Sequence, residues 1–399
     1  MKNNLSKYCI VCFVLSCLII RMENAHAGKL GNIRKLIGNQ DAILVAAPDG
    51  RVLLSKNAGK KLIPASILKI FTSLMSLHYL SPDFRFTTEF YMDKNSNLKI
   101  KGYGDPLLIS EVVSEIARTL HTKIDGFRDI VLDSSYFDPI LIPGVTTTLN
   151  PYDAPNGALC VNFNTVYFKR KKGAYISAEA QTPLLPFALK KIRKSKLSRG
   201  RIIFSQEQDE TTLYAGHLFH HFLEKEGLRS DGRIRLGLVE KESDRLVFRH
   251  VSKFSMEEVI SKLLEYSNNF IANQVFAVSG IKAYGPPGTL EKGVRAAGAY
   301  AKKILKLEDI RISEGSGISR ENRITAENMH KLLETFEPYR HLMRHKGREF
   351  YKTGSLSGVK TRAGYIENEN GELYRFTVMI NTPGKSTKNI MSRLLNALP

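Results

Sequence analysis

The sequence predicts an α+β protein in which strands from both ends of the chain build one sheet and an inserted segment interrupts it. Three observations carry this. Near the start, Ala42 to Val45 and Arg51 to Leu54 flank Pro48-Asp49-Gly50, two β-rich runs about a tight turn. Near the end, Glu349 to Ser355, Ala363 to Ile366 and Tyr374 to Ile380 repeat that pattern, the last two joined at Asn370-Gly371. Helical periodicity lies between them, after Pro64 and again from Met256 through Val278.

The 399 residues are 43% apolar and 25% charged, an ordinary globular composition that excludes a disordered, collagen-like or coiled-coil chain. Length suggests two domains, with a third at most. The net charge of +20 implies polyanions nearby, whether nucleic acid, anionic lipid or an acidic wall. The first residues narrow this choice. Lys2 and Lys7 precede the apolar run Tyr8 to Ile20, and Ala25-His26-Ala27 ends in a small-x-small pattern. This predicts a secretory signal peptide over residues 1–27, cut after Ala27. The run is too short to span a bilayer as a helix. Cys17 follows Val14-Leu15-Ser16, an imperfect lipoprotein box, and lipidation there is the less favoured alternative. Cleavage would take away three cations and one anion, leaving +18 of the +20. It would also remove Cys9, Cys12 and Cys17, so that Cys160 stands alone and no internal disulfide is expected. Export argues against a nucleic-acid partner.

Pro64-Ala65 opens a helix in which Ile67, Ile70, Phe71, Leu74 and Leu77 share one face and Ser66, Lys69 and Ser73 another. Residues 87–243 read as short strands and turns with little long helix. A turn is expected at Gly102-Tyr103-Gly104-Asp105-Pro106, and a basic stretch runs from Lys190 to Arg201. That stretch reads as a solvated face, with a docking patch as the alternative. A terminal amphipathic helix places Ile390, Leu394, Leu395 and Leu398 together.

Ser66 and Lys69 set a hydroxyl and an amine three residues apart on one helix face. A lysine there takes the serine's proton if burial lowers its pKa. The spacing alone is weak, because Ser96/Lys99, Ser279/Lys282 and Ser357/Lys360 repeat it. Locally, a solvated pair is the commoner reading. Ser66 differs in its place at a helix N-terminus, where free N–H groups favour developing negative charge. Ser267-Asn268-Asn269 adds a second hydroxyl and an amide. Lys352-Thr353-Gly354-Ser355 adds a cation on a strand, with a glycine that admits close approach. Chance supplies Lys-Thr-Gly about a tenth of once in such a chain.

Ser-x-x-Lys, Ser-x-Asn and Lys-Thr-Gly in that order form the active-serine set of penicillin-binding proteins and related β-lactamases. The chain resembles the class C low-molecular-mass penicillin-binding proteins, the D-Ala-D-Ala carboxypeptidase/endopeptidase family. Further matches are Gly102 to Pro106, Val131 to Asp138, Tyr152 to Leu159, Glu314 to Arg320 and Lys352 to Gly358. Glu314 stands where the family usually has Asp, and Ser355 where it often has Thr. The interval from Lys69 to Ser267 is shorter than in larger members, so a third domain is expected to be reduced or missing.

The resemblance implies a β-lactamase/penicillin-binding-protein-like serine hydrolase domain, an antiparallel sheet flanked by helices, with an inserted mostly β domain. The catalytic domain would comprise 28–86 plus 244–399, and the insert 87–243. It implies a periplasmic or cell-envelope hydrolase acting on peptidoglycan stem peptides, acylated covalently by β-lactams, with no metal and no organic cofactor. Ser66 would be the nucleophile and Lys69 its base. Ser267, supported by Asn269, would relay the proton, and Lys352 would supply the field. Thr353 would join Lys352 on the substrate carboxylate, Gly354 would admit the substrate to the strand edge, and the N–H groups of Ser66 and Ser355 would form the oxyanion hole. Asp153 is the candidate contact for a free amine on the third stem residue. Larger relatives place that contact upstream, where this chain has Thr146-Thr147-Thr148, and a turn-forming Asp is the other reading. The rival functions are a β-lactamase and a catalytically silent wall-binding protein.

Three features carry no chemistry on this reading. Gly285 to Thr289 reads as a loop before a helix, since Leu290-Glu291 stands where a P-loop needs Gly-Lys. His217, His220 and His221 lack the spacing of a metal site and read as a surface cluster. Cys160 lies in an apolar run and reads as a buried core thiol.

Overall fold

A computed structural model describes residues 29–399 except 147 and 204. The expected signal segment, with Cys9, Cys12 and Cys17, lies outside the described residues, as does Thr147. The described residues form two compact units, one made of those up to Ile67 with Arg323–Pro399 and the other of those within Leu68–Asn322.

The first unit is the sheet expected from the two chain ends. Its strands lie in the order Arg344–Lys346, Glu349–Leu356, Val359–Glu367, Leu373–Ile380, Asp41–Ala46 and Val52–Lys56, and every pairing is antiparallel. Pairing of Ile43 with Val378 joins the N-terminal hairpin to the C-terminal one. The register is fixed by burial, because a one-residue slip would turn each strand inside out. Phe376, Val378 and Ile380 face a core shared with Leu30, Ile33, Ile390, Met391 and Leu394 of two terminal helices. Helix Ala326–Phe336 covers the opposite face, where the Tyr365 hydroxyl donates to the Leu333 carbonyl.

The second unit holds a five-stranded sheet in the order Arg245–Ser255, Arg85–Met92, Leu98–Gly102, Ile130–Asp133 and Ile234–Leu236. Its first two pairings are antiparallel and its last two parallel. A three-stranded sheet, Ala174–Ser177, Thr165–Lys171 and Arg199–Ile203, accompanies it. The expectation of little long helix in 87–243 is corrected. Ser110–His121, Pro186–Ser195 and the 18-residue Gln208–Lys225 are all helical. Val113, Ile116, Leu218, Phe219 and Phe222 from two of them share one core with Phe90, Ile100 and Leu132 of the sheet.

The remaining α-helices described in this unit are Lys69–Leu80, Met256–Tyr266, Asn269–Tyr284 and Leu290–Ala299. Twelve successive residues, Phe270 to Ile281, are buried, as expected of a helix enclosed on all sides. The helical stretch expected from Met256 breaks at Ser267-Asn268 and then continues to Tyr284. Thr289 caps the helix after the Gly285–Gly288 loop, accepting from Lys292 N, so that loop precedes a helix as expected. Among the described residues no helix is long and apolar enough to cross a membrane.

Candidate active site

In the first unit, Ser66 sits in a 3₁₀ turn, Ala65–Leu68, that continues into helix Lys69–Leu80. Ala65 precedes it at φ +49°, in the left-handed region where a side chain crowds the backbone. Two contacts hold this turn beside the sheet. The Thr361 hydroxyl donates to the Pro64 carbonyl at 2.7 Å. Gly354 lies so close that an added Cβ would stand 2.7 Å from Ser66 N and 2.3 Å from Thr361 Oγ1. The glycine of Lys-Thr-Gly is therefore a spacing device that brings the strand to the serine.

That strand pairs with Arg344–Lys346 only over Glu349–Tyr351. From Lys352 onward its outer edge has no strand partner among the described residues, and an open edge is a template for an extended chain. Thr353 and Ser355 are exposed there. Lys352 is 2% exposed, and its ammonium donates to the Thr353 carbonyl at 2.8 Å.

In the second unit, the helix that begins at Lys69 is buried on nearly every side, and Lys69 itself is fully buried. Its Nζ donates to Asn269 Oδ1 at 2.8 Å and to the Ser316 carbonyl at 2.7 Å. The solvated lysine favoured by local sequence is thus corrected. Burial pushes the Lys69 pKa down to about 7, and the nearby Glu314 charge opposes that shift only in part. The amine is consequently available as a base near neutral pH.

Glu314 organises the loop that supplies the second acceptor. Its carboxylate accepts from the N–H groups of Ser316 and Gly317, both at 2.7 Å, and from the Asn322 amide at 2.7 Å. Asn273 accepts from Gly315 N, and Thr72 donates to the Gly315 carbonyl. Sequence reasoning noted the Glu314 to Arg320 match without assigning it this duty. What this loop presents to Lys69 is a backbone carbonyl, which no side-chain pattern announces.

Ser267 is the left-handed C-cap between helices, at φ +53°. The Asn268 side chain accepts from Ile271 N and starts the second helix, so Asn269 occupies its first turn. Asn156 donates to the Phe270 carbonyl and to Gln274 Oε1, tying the Tyr152 to Leu159 segment to that helix.

A profile of the D-Ala-D-Ala carboxypeptidase 3 (S13) family matches residues 28–209 and 198–345. The chain belongs to this family. It is an enzyme of the D-Ala-D-Ala carboxypeptidase class, with the α+β fold of penicillin-binding proteins. It is 25% identical over 421 residues to D-alanyl-D-alanine carboxypeptidase DacB of Haemophilus influenzae, covering 87% of this chain and 86% of that one. The crystal structure of penicillin binding protein 4 (dacB) from Haemophilus influenzae matches with TM-score 0.73 at 20% identity, over 92% and 98% of the two chains. A penicillin G acylated predatory endopeptidase, Bd3459 of Bdellovibrio bacteriovorus, matches with TM-score 0.50 at 16% identity, over 89% and 88%.

Within this S13 chain, members of two of the three other Ser-x-x-Lys pairs are otherwise engaged. Lys99 pairs with Asp244 at 2.7 Å, and Ser279 donates back to the Val275 carbonyl. Asp153 is buried, and its Oδ2 accepts from the hydroxyls of Thr146 and Thr148, each at 2.7 Å. It also borders a cavity of about 440 Å³ with Asn156 and Gln208, whose carbonyl oxygens Oδ1 and Oε1 are buried without a donor among the described residues.

Cys160 is a free, buried thiol, its pKa pushed up to about 12 by burial. His217 lies against Phe187, with ring centroids 5.1 Å apart, and His220 reaches Glu224 at 3.4 Å. No metal-holding cluster occurs among the described residues. The basic stretch from Lys190 divides between helix Pro186–Ser195 and strand Arg199–Ile203, with Lys191 paired to Glu210.

Proposed function

We propose that the chain hydrolyses the terminal D-Ala-D-Ala bond of peptidoglycan stem peptides, and D-alanyl cross-links between stems, through an acyl-enzyme on Ser66. The observation that carries this reading is the buried Lys69 amine, held by Asn269 and the Ser316 carbonyl with its pKa brought to about 7. Lys69 takes the proton from Ser66 as the hydroxyl attacks the penultimate D-Ala carbonyl. Ser267, supported by Asn269, passes a proton to the departing amine. Lys352 and Thr353 hold the substrate carboxylate, and the N–H groups of Ser66 and Ser355 receive the oxyanion. Gly354 lets the substrate lie along the strand edge. Water then releases the acyl group.

On this proposal the catalytic domain is 28–86 plus 244–399 and the insert is 87–243. Asp153 contacts a free amine on the third stem residue, and the two donor-less carbonyls beside it, on Asn156 and Gln208, suit an ammonium. Residues 1–27 serve as the signal peptide, and export places the protein in the cell envelope. The charge of the mature chain draws it to anionic wall or membrane.

Labelling with a fluorescent penicillin, followed over hours, tests the reading. A lasting adduct on the Ser66 peptide, absent in Ser66→Ala, is expected. Rapid recovery of unmodified protein would assign a β-lactamase, and no adduct a silent wall-binding protein. An adduct that persists in Ser66→Ala would remove Ser66 from its role.

A further inference from the structure

A separate cavity of about 450 Å³ lies within the second unit. Tyr266 and Asn268, the two neighbours of Ser267, line it together with Phe270 and Ile271 of the following helix. From the inserted segment come Ile109, Phe163, Glu179 and Arg201.

The wall at Phe163 is built at a cost. Asn162, Phe163 and Asn164 are three successive left-handed residues, with φ of +50°, +58° and +52°. Asparagine visits that region readily, whereas a bulky aromatic does not. Side-chain bonds impose it. Asn162 accepts from Ser110 N at 2.9 Å and donates to Ser110 Oγ at 2.8 Å, while Asn164 donates to the Pro155 carbonyl at 2.9 Å. The result sets the Phe163 ring against Phe270, with centroids 6.1 Å apart and planes at 76°.

The cavity combines this aromatic wall with two cations, Lys262 and Arg201, and two carboxylates, Glu111 and Glu179. Lys262, one turn before Tyr266, holds its ammonium 5.3 Å from the Phe254 ring centroid. Arg201 pairs with Glu179 and donates to Thr165 Oγ1 at 3.0 Å. Tyr266 is 65% exposed at the rim.

We propose that this cavity receives the leaving stem peptide when the substrate is a cross-link. The inference rests on the reading above, in which Ser267 hands a proton to the departing amine. In that step the acyl carbon–nitrogen bond breaks and the Ser66 oxygen–acyl bond forms. The Ser66 proton ends on the nitrogen that leaves. When the leaving group is free D-Ala, it is far too small to occupy a cavity of this size. A second stem, attached through its side-chain amine, has the aliphatic carbons to lie on Phe163 and Tyr266. It also has a carboxylate to meet Lys262. Residues on both sides of the proton donor therefore bind what that donor expels, and this subsite favours cross-links over free termini.

Two variants away from the reacting groups test this: Lys262→Ala removes a cation, and Gln181→Trp fills the cavity from an exposed lining position. Three substrates are compared, namely a monomeric stem pentapeptide, a glycan-free peptide dimer joined by a D-alanyl bond, and the same dimer carrying disaccharides. Each variant is expected to lower kcat/KM on the glycan-free dimer about tenfold, the scale of one charged contact. D-Ala release from the pentapeptide and penicillin acylation should stay within about twofold. Equal losses on pentapeptide and dimer, or no loss on the dimer, overturn the assignment. A loss confined to the disaccharide-bearing dimer gives the cavity to a sugar and overturns it as well, as does a wild-type enzyme inert towards dimers. D-Ala release that survives in Ser66→Ala would instead sink the proposed function.

Discussion

On the proposed reading, Lys69 acts as a base because of where it is buried. A buried ammonium loses hydration that its hydrogen-bond partners replace only in part, and its pKa falls from 10.5 to about 7. The sign of the pH dependence follows. Below pH 7 the amine is protonated and unable to take the Ser66 proton, so penicillin acylation should fall about tenfold for each pH unit below that point. Above it the rate should level off. Stopped-flow acylation between pH 5 and 9 checks this, and a profile flat through pH 7 would give the base role to another group. Lys69→Ala should slow acylation at least ~100-fold, the scale of a general base. Asn269→Asp, which places a carboxylate against the ammonium, should move the inflection upward.

At the level of elements, the strand Glu349–Leu356 and the turn Ala65–Leu68 meet through the absence of a side chain. Gly354→Ala would place a methyl 2.7 Å from Ser66 N and 2.3 Å from Thr361 Oγ1. Backbone must then shift, at a cost of about 1–3 kcal/mol. Acylation should fall by more than the loss of stability explains, measured as labelling rate against thermal midpoint. An unchanged rate would make the close approach irrelevant to chemistry. This element-scale geometry also shows what the sequence could and could not convey. The three motifs, both hairpins and the pairing of chain ends were legible, because turn residues and alternating apolar residues are local signals. Helix Gln208–Lys225 was not. Leu213, Leu218, Phe219, Phe222 and Leu223 have helical spacing, but a run of histidines and threonines dilutes it, and Thr211 and Thr212 prove buried. The environment of Lys69 was equally hidden, since Asn269 and Ser316, two of its partners, lie 200 and 247 residues away.

For the whole molecule, a net charge of +20 acts through the surface rather than the core. Binding to isolated wall or anionic vesicles should weaken steadily between about 0.05 and 0.5 M salt, as the screening length shrinks from ~10 Å at 0.1 M. Retention indifferent to salt would dismiss charge as the cause. The buried Cys160 thiol has a different consequence. Folded, Cys160 is sealed from solvent, and its proton is held by burial with the pKa near 12. Unfolded, it becomes an ordinary reactive cysteine, with no partner in its own chain once residues 1–27 are cleaved as proposed. Outside the reducing cytoplasm, two opened molecules can therefore lock together through it, and each such pairing withdraws them from refolding. Persistence then depends on how seldom the core opens rather than on how fast it recloses. Modification of Cys160 by a thiol reagent should keep pace with global unfolding in urea, and Cys160→Ser should recover more native enzyme after a thermal cycle in air. If the reagent instead reacts at once with native protein, the seal does not exist; if it holds, a single sulfur atom times the working life of the molecule.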